Sequence, residues 1–216
     1  MFQSLIVIFV VGNNISDEKH LDTLAALRVR RYGNGDYLIG KLGAVLIVIS
    51  LLNLTGLLFL VGFHIFFEIP FSVKIYLFYW ITLTFPALLF ALGVSLGVYS
   101  FVRVSFGGLV LLMLLLLLDV LGLSSQMNGV LDYRATEIPN VFSQILGHVG
   151  LGRYLLQRSV ILFIGLGCIA FAVAGIPRID DSSRVVIYWK IIGIVTILLG
   201  CGLGFVYSGF FYLDRQ

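Results

Sequence analysis

Five apolar stretches of this chain contain no aspartate, glutamate, lysine or arginine. Because hydrocarbon offers no water to backbone polar groups, an apolar run of about 20 residues crosses a bilayer as a helix. The alternation typical of membrane barrels is absent, since residues 111–118 are almost all leucine. We therefore predict an all-α, polytopic membrane protein with five full transmembrane helices. The stretches cover residues 42–67, 75–102, 104–118 (which 119–123 can extend), 159–177 and 191–213 (which 185–190 can extend).

The composition excludes several classes of protein. Of the 216 residues, 60% are hydrophobic and 12% are charged, against about 25% charged in ordinary soluble domains. So few charges cannot cover a soluble enzyme, and the chain is too apolar to be disordered. The net charge of +3 is too small to indicate a nucleic-acid partner. The lipid bilayer is the first partner that the sequence predicts.

The N-terminal residues 1–12 are apolar but provide only about half the length that a bilayer requires. A secretory signal peptide would begin with basic residues, and this stretch has none. We interpret it as a partial transmembrane helix whose beginning is missing or shortened. A short interfacial helix is the alternative.

The basic residues predict the orientation of the chain. Nine of the 14 lysines and arginines fall in one set of loops and five in the other. The richer set should be cytoplasmic. A single transmembrane domain over residues 1–216 then has a cytoplasmic segment at 13–41 and an external segment at 124–158. The expected location is a bacterial cytoplasmic membrane.

The cytoplasmic segment 13–41 has the pattern of a short amphipathic helix. Ser16 is a good N-cap, and Asp17 lies in the first turn, where the helix dipole favours anions. Arginines follow at the far end, and Gly33 and Gly35 are expected to stop the helix. Two interpretations stay open: a linker whose arginines set topology and meet lipid phosphates, or a docking helix for a cytoplasmic partner.

The external segment 124–158 divides into two parts. Its first part is polar, and its second part is mildly apolar with Gly147, Gly150 and Gly152. The second part predicts short helices at the outer interface. His148 is expected to be an interfacial hydrogen-bonding residue, because no second ligand stands at metal-binding spacing.

Polar groups inside the spans are few. Asp119 ends the leucine run and is expected to reach the outer interface, while Asn53 and Thr55 can bond neighbouring helices or backbone. Pro86 is expected to kink its helix. No nucleophile–base pair, metal motif or Walker A motif is present in the sequence. We therefore expect no enzyme activity, no cofactor and no metal.

Two short motifs lie in the segment 13–41. Residues 22–27 read Asp-Thr-Leu-Ala-Ala-Leu, and residues 37–41 read Tyr-Leu-Ile-Gly-Lys. With these motifs the chain resembles the membrane domain of type-2 ATP-binding-cassette exporters. In that family such a pattern marks a cytoplasmic coupling helix and its junction with the next span. The resemblance covers about residues 1–178. The chain departs from the family by lacking its usual proline, its first span and most of its second, and by adding a span at 185–213.

The resemblance implies a permease subunit or fragment that exports an unknown substrate. Its partners would be a cytoplasmic ATP-binding-cassette ATPase, which hydrolyses the ATP, and a second membrane half in a homo- or heterodimer. Tyr37, Gly40 and Lys41 would form the span junction. The ATPase contacts would be Asp17, Asp22, Leu24, Leu27, Arg28, Arg30 and Arg31. The alternative is a membrane assembly or anchor protein that transports nothing and binds lipid through its basic helix.

Overall fold

Helices account for nearly all of the described chain. A computed structural model describes residues 2–20, 34–68, 72–102, 105–122, 127–137, 142–143, 147–175 and 183–213. The helices are α1 (Phe2–His20), α2 (Asn34–Phe66), α3 (Val73–Tyr79), a π-helical turn (Trp80–Thr84), α4 (Phe85–Phe101), α5 (Ser105–Val120), α6 (Leu151–Gly175) and α7 (Ser183–Leu213). Two antiparallel strands of two residues each, β1 (Phe142–Ser143) and β2 (Gly147–His148), form a small hairpin.

Four of the predicted spans are helices long and apolar enough to cross a membrane: Ile39–Phe66, Val73–Phe101, Leu151–Gly175 and Arg184–Gly209. The coarse prediction of a helical membrane protein is confirmed in this sense. The count of five full spans is not confirmed, because α5 has only 16 residues in the described part of the chain. At 1.5 Å per residue it is about 24 Å long, short of the roughly 30 Å hydrocarbon core.

The N-terminal helix differs from its prediction. Ser16 was expected to cap a separate helix, but α1 runs without interruption from Phe2 to His20. No proline interrupts this stretch, so continuing the helix keeps each N–H bonded four residues back. Gly35 likewise lies inside α2 and does not end a helix. The predicted coupling helix from Leu21 to Arg31 lies outside the described residues.

The short interfacial helices predicted in the second half of the segment 124–158 are wrong for the described residues. The structure has the β1–β2 hairpin there, and α6 already begins at Leu151. Gly147 and Gly150 have φ values of +71° and +70°. Such left-handed backbone suits glycine in tight turns and does not occur in a right-handed helix.

Pro86, which was predicted to kink its helix, lies just after a segment of wider helical turn. The π-helical turn Trp80–Thr84 immediately precedes it, and the Phe85 N–H bonds the Trp80 carbonyl five residues back. A proline has no N–H and its ring crowds the carbonyl four residues earlier, which a π-turn relieves. The hydroxyl of Thr82 there donates to the Phe78 carbonyl at 2.7 Å.

Glycines let α6 approach both of its main neighbours at backbone distance. A Cβ on Gly93 of α4 would collide with the carbonyl oxygen of Gly165 in α6. On the other side, a Cβ on Gly167 would lie 3.2 Å from the Gly193 carbonyl oxygen in α7. Close approach through small residues is how helices associate in membranes, where apolar burial gives little driving force. Helix α6 is thus the centre of the bundle.

Tyr99 fills the space where α1, α4 and α5 meet. It is one of the largest fully buried side chains. Cβ atoms on Gly12 and Gly108 would lie 2.5 Å from its hydroxyl oxygen and 2.8 Å from its ring, respectively. The two glycines therefore make the room that this tyrosine occupies.

We predict that Gly93→Ala destabilises the bundle by about 1–3 kcal/mol, the usual cost of overpacking, because backbone on the facing helix cannot move aside. Thermal unfolding of the purified protein in detergent measures this. Gly56→Ala on α2 is the matched control, since its Cβ would meet nothing within 4 Å. Equal unfolding temperatures for the two variants would contradict the proposed contact.

Candidate functional site

Of the residues predicted to contact an ATPase, one lies in the described structure, and the three residues of the predicted span junction lie there too. Asp17 lies in the last part of α1, and Tyr37, Gly40 and Lys41 lie in the first turns of α2. Gly40 is exposed, and a Cβ there would meet nothing within 4 Å. The other six, Asp22, Leu24, Leu27, Arg28, Arg30 and Arg31, lie outside the described residues.

A buried polar cluster lies instead under residues 127–137, which we call the capping loop. Gln157 of α6 is fully buried and points its amide nitrogen at three backbone carbonyls of this loop. The distances are 3.0 Å to Gly129, 3.2 Å to Val130 and 2.9 Å to Asp132. Carbonyls without helix or strand partners need such donors when they are buried.

Arg158 continues the same contact from the next position of α6. It is only 2% exposed, and its two terminal nitrogens donate to the carbonyls of Tyr133 at 3.0 Å and Asp132 at 2.7 Å. Its guanidinium carbon lies 5.9 Å from the Tyr154 ring centre, within reach of a cation–π interaction. A buried guanidinium is thus used to hold loop backbone.

The Asp132 carboxylate accepts hydrogen bonds from other residues of the capping loop. It is fully buried and accepts hydrogen bonds from the backbone N–H of Glu137 at 2.7 Å and the hydroxyl of Thr136 at 3.3 Å. The side chain therefore closes the end of the loop, while its own carbonyl is held by α6. This negative charge also lies near Arg158, which compensates part of the cost of burying both.

An ion pair between Arg134 and Asp119 joins the capping loop to α5. The Nε of Arg134 lies 2.6 Å from the Asp119 carboxylate, and its terminal nitrogen donates to the Asp119 carbonyl at 3.2 Å. Asp119, which ends the leucine run, is buried beneath the loop. The pair neutralises a carboxylate that would otherwise be costly next to apolar helices.

Beneath the loop lies a cavity of about 290 Å³, which we call the loop-end cavity. It is lined by residues of α1, α4, α5 and the capping loop. Most of its wall is apolar, and the polar atoms come from Ser4, Ser95, Asp119 and Tyr133. The other lining residues are Ile8, Phe90, Ala91, Val94, Leu112, Leu115, Leu116 and Leu131.

Tyr133 forms part of the wall of this cavity. Its ring stacks on Phe90 with centroids 5.5 Å apart, and the side chain is buried. Burial raises the pKa of the phenol above its ordinary value, and a hydrogen bond with the Ser4 side chain opposes part of the shift. The hydroxyl therefore stays protonated at neutral pH.

A second, more open space lies between α2 and α3, with a volume of about 640 Å³. Asn53 and Tyr76 are among the few polar residues that line it. The amide of Asn53 donates to the Ile49 carbonyl at 2.9 Å and accepts from Gln3 at 2.6 Å. The prediction that Asn53 bonds backbone or a neighbouring helix is confirmed.

An aromatic cluster stands next to the β1–β2 hairpin. The ring of His148 lies 4.6 Å from that of Tyr154 and 5.7 Å from that of Tyr79. The Tyr154 hydroxyl lies 2.9 Å from that of Thr82, which ties α6 to the π-helical turn. His148 thus packs as an aromatic side chain, and no group of three metal-binding side chains exists among the described residues.

Sequence reasoning missed Asp132, Gln157 and Arg158 as members of one cluster. Arg158 was assigned to an external loop because a charge normally marks the end of a span. The sequence signal for this cluster was the pair Gln157-Arg158, which directly precedes the apolar run that begins at Ser159. Gln157 and Arg158 hold the backbone of the capping loop in place beside the apolar loop-end cavity.

We predict that Arg158→Met destabilises the protein by roughly 2–4 kcal/mol, because two buried carbonyls lose a charged donor. The capping loop should then loosen, and trypsin should cut after Arg134 faster than in the unaltered protein. Arg158→Lys, which keeps the charge and loses the fork of donors, should be intermediate. Lys74→Met, at an exposed position, is the control. Unchanged cleavage in Arg158→Met would refute this role.

Searches of protein-family models, of curated proteins and of solved structures found no significant match to the chain.

Proposed function

We propose that this chain is a permease half of an ATP-binding-cassette exporter. It would move a substrate across a cytoplasmic membrane, powered by ATP hydrolysed in a partner ATPase. The motifs at 22–27 and 37–41 suggested this function, and one structural observation supports it best. Most of the apolar surface of helix α2, which carries the second motif, is exposed within the described part of the chain.

The exposure of α2 is large for a helix in a bundle. In its most apolar part only 11% of the residues are buried. Phe59 and Phe66 are each 80% exposed. Its packed residues, including Leu42, Val45 and Ile49, all lie in the first half of the helix. Apart from Asn53 and His64, which contact Gln3 and Tyr76, the second half presents a mostly exposed apolar surface. Such a surface suits contact with lipid or with a second membrane half.

The position of α2 also suits transmission of a conformational change. It follows the predicted coupling segment directly, and its first turn carries Asp36, with Lys41 a little further on. A helix that begins among charged residues and continues as a span joins a surface contact to the membrane region. ATP-driven transport requires such a link, because the ATPase lies outside the bilayer.

We predict that charge reversal of Arg28, Arg30 and Arg31 to glutamate breaks an association with an ATP-binding-cassette ATPase. The measurement is co-purification of the full chain from native membranes, followed by mass spectrometry and by ATPase activity of the purified complex. At least a tenfold loss of bound ATPase is expected, because reversed charges replace attraction by repulsion across the contact.

The matched control is Arg184→Glu with Lys190→Glu, which changes the other predicted cytoplasmic loop and should retain the ATPase. If the chain purifies without any ATPase, and the triple variant alters only orientation or lipid binding, the permease function is refuted. That result would favour an anchor protein whose basic helix binds lipid headgroups.

A further inference from the structure

We infer that the capping loop is a re-entrant segment, which lies near the middle of the hydrocarbon core and not at the membrane surface. Its exposed side then faces a water-filled depression that opens to the membrane face carrying Glu68 and Lys74. Such a depression gives a water-soluble solute access to the middle of the bilayer from that face. The inference concerns the depth of the loop and does not depend on the exporter function.

Two contacts relate the depth of the capping loop to apolar stretches that contain no aspartate, glutamate, lysine or arginine. The ring of Tyr133 stacks on Phe90, which lies in the middle third of the stretch 75–102. A Cβ on Gly204 would lie 3.0 Å from a methyl carbon of Val130. Gly204 is in the middle third of the last apolar stretch of the chain. The loop therefore lies beside the central part of both helices.

Helix α1 gives the same depth. Gln3 donates to Asn53, which lies in the middle third of the apolar stretch of α2. The next residue, Ser4, hydrogen-bonds through its side chain with Tyr133. Beyond Asn53, α2 continues to Phe66, about 20 Å further at 1.5 Å per residue. If the loop lay at the surface, this apolar half of α2 would stand in water, with Phe66 80% exposed.

The charged side chains around the loop are arranged as charges are inside a membrane. In water at a protein surface, charged side chains are mostly exposed, whereas inside a membrane they face the protein interior and pair. Asp132 and Arg158 are 0% and 2% exposed, and Asp119 is 9% exposed and paired with Arg134. Burial of this kind is costly in water but is required at hydrocarbon depth.

The backbone of the loop is bonded in the way that hydrocarbon requires. Irregular backbone at membrane depth needs partners for its polar groups within the protein or in a water-filled cavity. Gln157 and Arg158 donate five hydrogen bonds to loop carbonyls, which are those of Gly129, Val130, Asp132 and Tyr133. At the membrane surface water would bond these carbonyls, and two buried donors would not be needed.

The end of the loop has polar side chains that are exposed. Thr136 and Glu137 are both exposed, and a carboxylate that faced hydrocarbon would be costly. At this depth such side chains must therefore face water. The bundle closes the opposite side with a buried core that includes Leu92 and Tyr99. Water consequently enters from the face that carries Lys74.

The depth is tested with spin labels on the full chain in nanodiscs, after Cys168→Ala and Cys201→Ala have removed the native thiols. Phe205→Cys places the label beside the Gly204 contact at a position that is 81% exposed. We expect oxygen, which concentrates in hydrocarbon, to relax this label more than a water-soluble nickel chelate does. Lys74→Cys is the control at the membrane face and should give the reverse order. The reverse order at Phe205→Cys would overturn the re-entrant placement.

The water-filled depression is tested in the same cysteine-free chain with a thiol reagent that carries a fixed positive charge. Thr136→Cys should react at least about tenfold faster than Phe205→Cys, because the reactive thiolate is suppressed in apolar surroundings. Nanodiscs expose both membrane faces, so the orientation of the chain does not affect the result. Equally slow reaction of both variants would overturn the depression, and equally fast reaction would place Phe205 in water and overturn the depth.

The hydroxyl of Thr136 lies 3.3 Å from the Asp132 carboxylate, so its replacement requires a check that the loop remains folded. The unfolding temperature of Thr136→Cys, compared with that of the cysteine-free chain, provides it. Glu137→Cys is the second variant, because residue 137 bonds Asp132 through its backbone N–H and keeps that bond after substitution. It should react as fast as Thr136→Cys, and slow reaction at residue 137 in a folded variant would also overturn the depression.

Discussion

The backbone contact between α4 and α6 at Gly93 and Gly165 is the constraint on which the bundle depends. Because neither residue has a Cβ, the two helices meet at a distance that no other pair of residues permits. That approach fixes where the first turns of α6 stand, and therefore where Gln157 and Arg158 stand. The capping loop is then folded around donors whose positions are already set. A small-residue contact thus determines the geometry of a polar cluster more than one turn away.

The spans could be predicted because a bilayer requires a long run of apolar residues whose backbone groups hydrogen-bond within one helix. The cluster under the capping loop could not, because the partners of Arg158 are carbonyl groups of an irregular loop. Every residue has a carbonyl, so no side-chain pattern marks the ones that will be captured. Asp132 has the same difficulty, since an aspartate in a polar stretch reads as a solvated residue until the fold buries it.

Errors in the boundaries of elements have a related origin. Ser16 has the sequence of a helix start, yet the helix was already present and continued through it. The glycines at 147 and 150 were predicted to belong to interfacial helices, although their positive φ angles do not occur in a right-handed helix. Local preferences decide such positions only where no longer-range arrangement overrides them. For Pro86 the missing N–H and the ring act in any context, and the structure has a π-helical turn just before this residue.

The length of helix α2 has a mechanical consequence. Its 33 residues make a rod about 50 Å long, well beyond a hydrocarbon core of roughly 30 Å. Membrane helices tilt by at most about 40°, which cannot absorb that difference. Part of the rod must stand outside the hydrocarbon, and no proline interrupts it. Its buried residues lie in the first half, and its far end is joined to α3 where the Tyr76 hydroxyl lies 3.1 Å from His64 Nε2. A small rotation about the buried half would therefore displace α3 as well as the far end of α2.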